Sequence, residues 1–90
     1  MRRAAKVDAN QQAIIDALRS MGCSVDINPA GGGVPDLDVG YRGTNFKIEV
    51  KSTGGKLNAL QKKWHANWRG KAHIAYSVDD ALNIMRYWKP

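Results

Sequence analysis

The feature that most constrains the fold is a pair of alternating segments joined by a short turn. Apolar and polar residues alternate over 36–39 and again over 46–51, with Tyr41-Arg42-Gly43-Thr44 between them. Such alternation is typical of strands that turn one face to a core, and a turn this short joins antiparallel neighbours. The sequence therefore predicts a β-hairpin.

The loop of this hairpin decides which side chains face each other. With a loop of two or four residues, Asp36 faces Glu49 with Cβ atoms roughly 4.5 to 5.5 Å apart, and Asp38 faces Lys47. A three-residue loop with a bulge would move the pairing by one residue and remove the direct opposition. We expect the first arrangement, with an ion pair between Asp38 and Lys47.

The acidic pair carries the most evident chemistry. Two facing carboxylates repel each other, so the pair persists when a proton or a cation lies between them. Period two places Lys51 on the same face as Glu49, and the pattern brings no histidine or cysteine near. Ligation by oxygen alone favours Mg²⁺ or Mn²⁺ over Zn²⁺.

A metal held by Asp36 and Glu49 would bind a phosphate oxygen and activate a water, while Lys51 would orient that water or stabilise charge on phosphorus. This predicts hydrolysis of a phosphodiester. From the residues alone, the alternative is an ordinary polar hairpin face on which Lys51 pairs with Glu49 in solvent.

Three segments have helical periodicity. The first follows Asp8 and ends at Gly22, the second opens at Asn58 and Gln61, which resemble a capping box, and the third follows Ser77. Further strands are predicted over 23–28 and 72–76. The order is helix, three strands, helix, strand, helix, which predicts an α/β sandwich.

The chain carries 14 Lys and Arg against 8 Asp and Glu, a net charge of +6. This charge favours a polyanionic partner such as nucleic acid, although an anionic membrane surface attracts the same charge. The group best placed to contact phosphates surrounds the second helix, and solvation is the alternative for each member. Its residues are Lys56, Lys62, Lys63, Arg69 and Lys71.

The cysteine and hydropathy patterns indicate the compartment. The single Cys23 excludes an intrachain disulfide and a thiolate zinc cluster, which is typical of a reducing environment, and we expect it to be buried. No apolar run approaches the roughly 20 residues of a membrane span. We expect a soluble, cytoplasmic protein without a membrane partner.

Several aromatic residues have more than one interpretation. Trp64 and Trp68 share the predicted face of Leu57 and Leu60, which favours the core or a dimer interface over base stacking. The two histidines, His65 and His73, have no partner at metal-ligand spacing, so we assign them no catalytic role and expect surface or edge positions.

The segments Gly33-Val34-Pro35-Asp36-Leu37 and Ile48-Glu49-Val50-Lys51, followed by Leu57 and Gln61, resemble the PD-(D/E)XK nuclease superfamily. More narrowly, they resemble its VRR-NUC (virus-type replication-repair nuclease) branch. The resemblance implies one domain over 1–90 with a restriction-endonuclease-like core. In that core a central mixed sheet of about four strands is flanked by helices, and residues 1–7 form a possible basic arm.

The resemblance also implies roles for site residues. Asp36, Glu49 and the Val50 carbonyl would hold Mg²⁺ or Mn²⁺, Lys51 would be the catalytic base or water-orienting group, and Gln61 would be the helical companion of the site. Related nucleases often add an acidic residue from the first helix. Here the inward positions of that helix hold Asp8 and Gln11, to which we assign no role.

Stand-alone domains of this kind occur in phages and resemble homodimeric Holliday junction resolvases. The implied activity is a metal-dependent endonuclease acting on branched DNA as a homodimer, in the host cytoplasm if phage-encoded, with no small-molecule cofactor. Two alternatives remain: a catalytically silent DNA-binding module, and an adaptor for other replication proteins, which would need an exposed apolar patch that the sequence does not display.

Overall fold

The computed structural model describes residues 8–29 and 31–88. Its elements are α1 Ala9–Met21, β1 Ser24–Ile27, β2 Leu37–Tyr41, β3 Thr44–Val50, α2 Ala59–Asn67, β4 Ala72–Ala75 and α3 Val78–Tyr87. The predicted order of elements is confirmed. The possible basic arm over 1–7 lies outside the described residues. None of the helices described is long and apolar enough to cross a membrane.

The strands form one mixed sheet in the order β1-β2-β3-β4. Strands β1, β2 and β3 are antiparallel neighbours, whereas β4 is parallel to β3. A parallel pair cannot be joined by a tight turn, and α2 is the crossover between β3 and β4. The mixed α/β sheet with flanking helices is thus confirmed.

The hairpin has the shortest of the loops considered. Arg42 and Gly43 have φ angles of 51° and 77°, and both central residues of a type I′ turn need positive φ. The pairing runs from Tyr41 opposite Thr44 to Leu37 opposite Ile48. Continued by one residue, this register brings Asp36 opposite Glu49.

One face of the sheet is apolar and packs against α1 and α3. Alternate residues of the strands point to this face, as period two requires. Cys23 is buried there, as predicted. The buried members of the core are Ile14, Ile15, Leu18, Cys23, Val25, Leu37, Val39, Phe46, Ile48, Ala75, Ala81 and Met85.

Helix α2 lies on the opposite, polar face, and none of its residues is buried. Leu60 and Trp68 are 59% and 41% exposed, and Trp64 stacks on Trp68 with ring centroids 4.7 Å apart. The core option for these two tryptophans is therefore wrong. Their spacing identified an apolar stripe, but a stripe on a helix does not specify which neighbour covers it.

The carboxyl-terminal aromatic residue belongs to the core side instead. Trp88 packs edge-on against Phe46 at a centroid distance of 5.5 Å, and it lies against the buried cluster. The ammonium of Lys71 lies 4.4 Å from the centre of the same indole. Trp88 thus extends the apolar core over Phe46 of β3.

Candidate active site

Asp36 stands immediately before β2 and is fixed at two points. Its Oδ2 accepts a hydrogen bond of 2.9 Å from the backbone N–H of Val50, and its carbonyl accepts one of 2.7 Å from the backbone N–H of Asn28. The first bond ties the carboxylate to β3, and the second ties its backbone to the end of β1. The side chain is therefore held where the register predicts it, beside Glu49.

Glu49 is the least solvated charged residue of the described chain, at 2% exposure. Its Oε2 accepts a hydrogen bond of 3.3 Å from Nε2 of Gln61. Its Oε1 is buried and has no hydrogen-bond partner among the described residues. A buried polar atom without a partner costs free energy, so this oxygen needs either a proton shared with a neighbouring carboxylate or a cation.

The surroundings of Glu49 favour its neutral form. Burial raises its pKa from the ordinary value of 4.5 to about 8, and hydrogen bonding to Asp36 and the charge of Asp36 act in the same direction. The charge of Lys51 acts in the opposite direction but is outweighed. Without a cation, the two carboxylates therefore share a proton over most of the neutral range.

The donor set suits a hard divalent cation. Two carboxylates meet at one end of the hairpin, and backbone carbonyls such as that of Val50 are the other oxygens of the strand. Within residues 8–29 and 31–88, no group of three or more His, Cys, Asp or Glu side chains is arranged to hold a metal. Mg²⁺ is commonly bound through one or two carboxylates, with water and substrate phosphate completing its octahedron, so the residues present fit it.

Lys51 follows β3 directly and is positioned through its backbone. Its N–H donates to the carbonyl of Ala75 at 3.1 Å, and its carbonyl accepts from Nδ2 of Asn10 at 3.1 Å. The same amide of Asn10 lies 3.3 Å from the carbonyl of Tyr76. Asn10 therefore joins α1 to the ends of β3 and β4 beneath the site.

Sequence reasoning missed Asn10. Its partner Lys51 lies 41 residues away in the chain, so no local pattern connects the two. The only available signal was a polar residue in the first turn of a helix whose cap was already supplied by Asp8.

Gln61 serves two elements at once. Its Oε1 accepts from the backbone N–H of Asn58 at 2.9 Å, while its own N–H donates to Oδ1 of Asn58 at 2.9 Å, which completes the predicted capping box. Its Nε2 remains free for Glu49. The inward orientation and the capping interpretation are both confirmed, and the cap holds the amide in position toward the acidic pair.

Gly33 sets the distance between the loop before β2 and α2. Its φ is 85°, and a Cβ atom at this position would overlap the backbone carbonyl of Leu60. Only glycine permits both the positive φ and the close approach. The glycine-rich segment therefore makes its close contact with α2, and Asp36 and Gln61 both bond to the end of β3, at Val50 and Glu49.

The inward positions of α1 hold no acidic ligand. Asp8 is exposed and accepts a hydrogen bond of 2.8 Å from the backbone N–H of Gln11, so it acts as the helix cap. Gln11 is buried.

The predicted ion pair between Asp38 and Lys47 is present at 2.7 Å, which confirms the register of β2 and β3 on the polar face of the sheet.

The five basic residues in or next to α2 differ in how exposed their side chains are. Lys71 is half-buried and lies over Trp88, whereas the other four are exposed. Those four are Lys56, Lys62, Lys63 and Arg69.

Both histidines are half-buried rather than fully exposed. Burial lowers the pKa of His65 and of His73, and the charge of Lys71 lowers that of His73 further. His73 lies on β4, at the edge of the sheet.

Comparisons with known proteins support the fold. No protein-family model matches the chain, and no curated protein matches it. Among solved structures, a VRR_NUC domain aligns with a TM-score of 0.75 at 22% identity, over 96% of this chain and 100% of that one. The resemblance suggested by the Pro35-Asp36 pair and by Glu49 and Lys51 is thus confirmed at the level of architecture, and the chain has the fold of a VRR_NUC domain.

Proposed function

We propose that this protein is a metal-dependent DNA endonuclease that hydrolyses phosphodiester bonds. One observation carries the proposal. Glu49 is buried beside a second carboxylate, and its Oε1 has no partner in the described part of the chain. A structural carboxylate would be paired or replaced by an apolar residue, whereas a cation ligand must keep an oxygen available.

The residues divide into ligands and positioning groups. Asp36, Glu49 and the Val50 carbonyl would hold Mg²⁺ or Mn²⁺. When bound, the ion would neutralise the acidic pair, draw a phosphate oxygen to it and lower the pKa of a bound water. Gln61 holds the Glu49 carboxylate by its amide, and Asn10 holds the backbone of Lys51.

The reaction consumes one water for each phosphodiester that it cleaves. The water oxygen forms a bond to phosphorus as the water releases a proton, the bond from phosphorus to one deoxyribose oxygen breaks, and that oxygen takes up one proton to become a hydroxyl. The Lys51 side chain, on the same face as Glu49, would orient the attacking water or stabilise the negative charge on the pentavalent phosphorus.

The DNA footprint follows from the charge around the site. Lys56, Lys62, Lys63 and Arg69 are exposed in or next to α2, the helix whose Gln61 contacts Glu49, and would contact phosphates flanking the scissile bond. Lys71 would reach the backbone from the edge of the sheet. These contacts position a strand without reading its sequence, which suits branched DNA such as a four-way junction.

We further propose that the protein acts as a homodimer through α2. Leu60, Trp64 and Trp68, together with Gly32, Lys63 and Asn67, line a shallow cleft that no described residue fills. Lys63 would contribute the apolar stem of its side chain to this contact and keep its ammonium for DNA. The structure thus has an exposed apolar patch that the sequence did not display. Burial against a second copy would stabilise so small a domain and place two active sites on one junction.

The rival function is a catalytically silent DNA-binding module. It would keep the basic surface but would have no use for a buried acidic pair, because such a pair repels the phosphate backbone and destabilises the sheet. The Oε1 of Glu49, which has no hydrogen-bond partner among the described residues, therefore favours the nuclease.

The deciding experiment is cleavage of a labelled four-way junction, a flap and a matched linear duplex, with Mg²⁺, Mn²⁺ or EDTA. We expect metal-dependent nicks, lost in each of Asp36→Ala, Glu49→Ala and Lys51→Ala while DNA binding is kept. Symmetric nicks in the junction would support the dimer. Tight binding without cleavage in either metal would establish the silent module instead.

A further inference from the structure

A groove of about 650 Å³ opens on the polar face of the sheet, next to the active site and outside the proposed mechanism. It extends from the carboxyl-terminal end of α2 across β3, β2 and β1. Its side chains include Ser24, Asp26, Asp38, Asn45, Lys47 and Trp68. A groove of this size is within the range of small-molecule sites, which is about 300 to 1,000 Å³.

The floor of the groove is rich in hydrogen-bond acceptors. Asp26 and Asp38 are direct cross-strand partners on β1 and β2. Lys47 neutralises Asp38 at 2.7 Å, but within residues 8–29 and 31–88 no cation pairs with Asp26. Like charges directly opposite each other destabilise a sheet, and Lys47 offsets only the charge of Asp38, so Asp26 is left as the open acceptor of the groove among the described residues.

The wall of the groove is aromatic. The indole of Trp68 is 41% exposed and is braced from one side by Trp64. The ammonium of Lys47 lies over the ring, 5.4 Å from its centre, so a ligand in the groove would meet the exposed edge of the indole beside this ammonium. An exposed indole beside carboxylate acceptors and an ammonium donor matches a flat, polar heterocycle better than it matches a phosphate, which Asp26 would repel.

The position of the groove links it to a DNA strand at the active site. Asp38 follows Asp36 by two residues on one strand, and Lys47 precedes Glu49 by two residues on the next, on the same face of the sheet. Two residues of a strand span about 7 Å. A nucleotide next to the scissile phosphate would therefore reach the groove with its base.

We propose that this groove binds an unpaired nucleobase of the DNA strand whose neighbouring phosphate lies at the acidic pair. The base packs against Trp68, Lys47 hydrogen-bonds a ring carbonyl or nitrogen, and Asp26 accepts from an exocyclic amino group. Adenine, cytosine and guanine have such a group and thymine does not. The inference rests on the proposed function, and it adds a preference for splayed, amino-bearing bases.

Binding of short homopolymers tests the proposal without any cleavage. We would measure the affinity of oligo(dA), oligo(dC) and oligo(dT) by fluorescence anisotropy in EDTA, for the full chain and for Asp26→Ala. Asp26 is exposed, so its replacement leaves the fold intact. We expect oligo(dA) and oligo(dC) to bind more tightly than oligo(dT), and Asp26→Ala to weaken only the first two, by about 10-fold.

Two further variants complete the design. Asp16→Ala removes the same charge from an exposed position of α1, on the other side of the sheet, and should leave the base preference unchanged. Trp68→Ala should weaken all three homopolymers by about 10-fold and duplex DNA much less, because only an unpaired base reaches the indole.

The outcomes separate this proposal from the nuclease proposal. Equal tightening of all three homopolymers by Asp26→Ala would show that its carboxylate acts only by repelling phosphates, and would overturn the base site. Absence of homopolymer binding would overturn it as well. In either case, metal-dependent cutting of the duplex or junction would still decide the nuclease proposal, because cleavage depends on Asp36 and Glu49.

Discussion

The two faces of the sheet bury different kinds of side chain from the same strands, with opposite effects on stability. On one face, Leu37 and Ile48 are completely buried between α1 and α3. On the other face, Glu49 is almost as deeply buried, but its side chain is a carboxylate beside Asp36. Burying apolar area stabilises the fold, whereas burying a carboxylate costs free energy until a proton or a cation joins it. The proposed site therefore lies on the face whose buried side chains destabilise the fold until a proton or a cation is bound.

The helices repeat this contrast. Both α1 and α3 contribute buried residues to the core, but α2 contributes none. Helix α2 is held at its amino-terminal end by the capping box and by the contact of Gln61 with Glu49. It therefore belongs to the site more than to the scaffold, and changes on the two faces should affect different measurements.

The largest effect is expected for Glu49→Gln. The amide keeps the size of the side chain and removes its charge, so the cation loses a ligand and cleavage should fall at least on the order of 10²- to 10³-fold. Stability without metal should be unchanged or higher at pH 8, since the buried charge is gone. Cleavage and thermal unfolding are measured on one preparation, with Asp16→Asn as the control of equal charge change. Undiminished cutting would remove Glu49 from the active site.

The neighbouring residue should show the opposite behaviour. Ile48→Ala leaves a cavity in the apolar core and should lower the free energy of unfolding by about 2 to 4 kcal/mol. Cleavage per folded molecule should change little, because Ile48 points away from the site. Urea unfolding followed by assays below the transition separates the two quantities. A loss of activity as large as that of Glu49→Gln in a folded Ile48→Ala would break the division between the faces.

The dependence of stability on pH and metal sharpens the comparison. The pKa of Glu49 is raised from 4.5 to about 8, so its stabilising contribution is full below pH 4.5 and is lost as pH rises through about 8. Mg²⁺ replaces the proton, so the increase in Tm caused by Mg²⁺ should grow between pH 7 and 9.

Thermal unfolding in Mg²⁺ and in EDTA across that interval measures the effect. The interval lies above the ordinary pKa of 6.5 of the histidines, whose lowered values keep them neutral there. Glu49→Gln is the matched control and should show no such growth. An equal Tm shift at both ends of the interval, with Glu49 present, would place the cation elsewhere.

The smallest effect is expected on the exposed surface. Replacing Lys62 and Lys63 together by Ala should weaken DNA binding and lower the slope of log K against log salt by about 2, because each phosphate contact contributes about 0.9. The free energy of unfolding should barely change, since both side chains are exposed. Arg86→Gln, on the exposed surface of α3, is the control. An unchanged slope would remove these lysines from the footprint.

Local patterns were sufficient for most of the fold. The hairpin register follows from the two-residue turn and period two, so the approach of Asp36 to Glu49 was predictable before any tertiary contact was known. The caps at Asp8, Asn58 and Ser77 were predictable for the same reason, because each involves residues three positions apart.

Contacts between distant segments were not predictable in this way. The amide of Asn10 reaches Lys51 across 41 residues, and Gly33 meets Leu60 only when the crossover helix is in place. The stripe containing Trp64 and Trp68 indicated an apolar face but not its neighbour, since periodicity describes one helix and burial describes a pair of surfaces.

The sequence by itself thus determined the order of elements, the register of the hairpin and the identity of the acidic pair, because short-range spacing controls all three. Only the tertiary structure decided the burial of Glu49, the lack of a hydrogen-bond partner for its Oε1 among the described residues, and the groove beside Trp68. These properties depend on which surfaces exclude water, and that depends on how helices and strands far apart in the chain pack together.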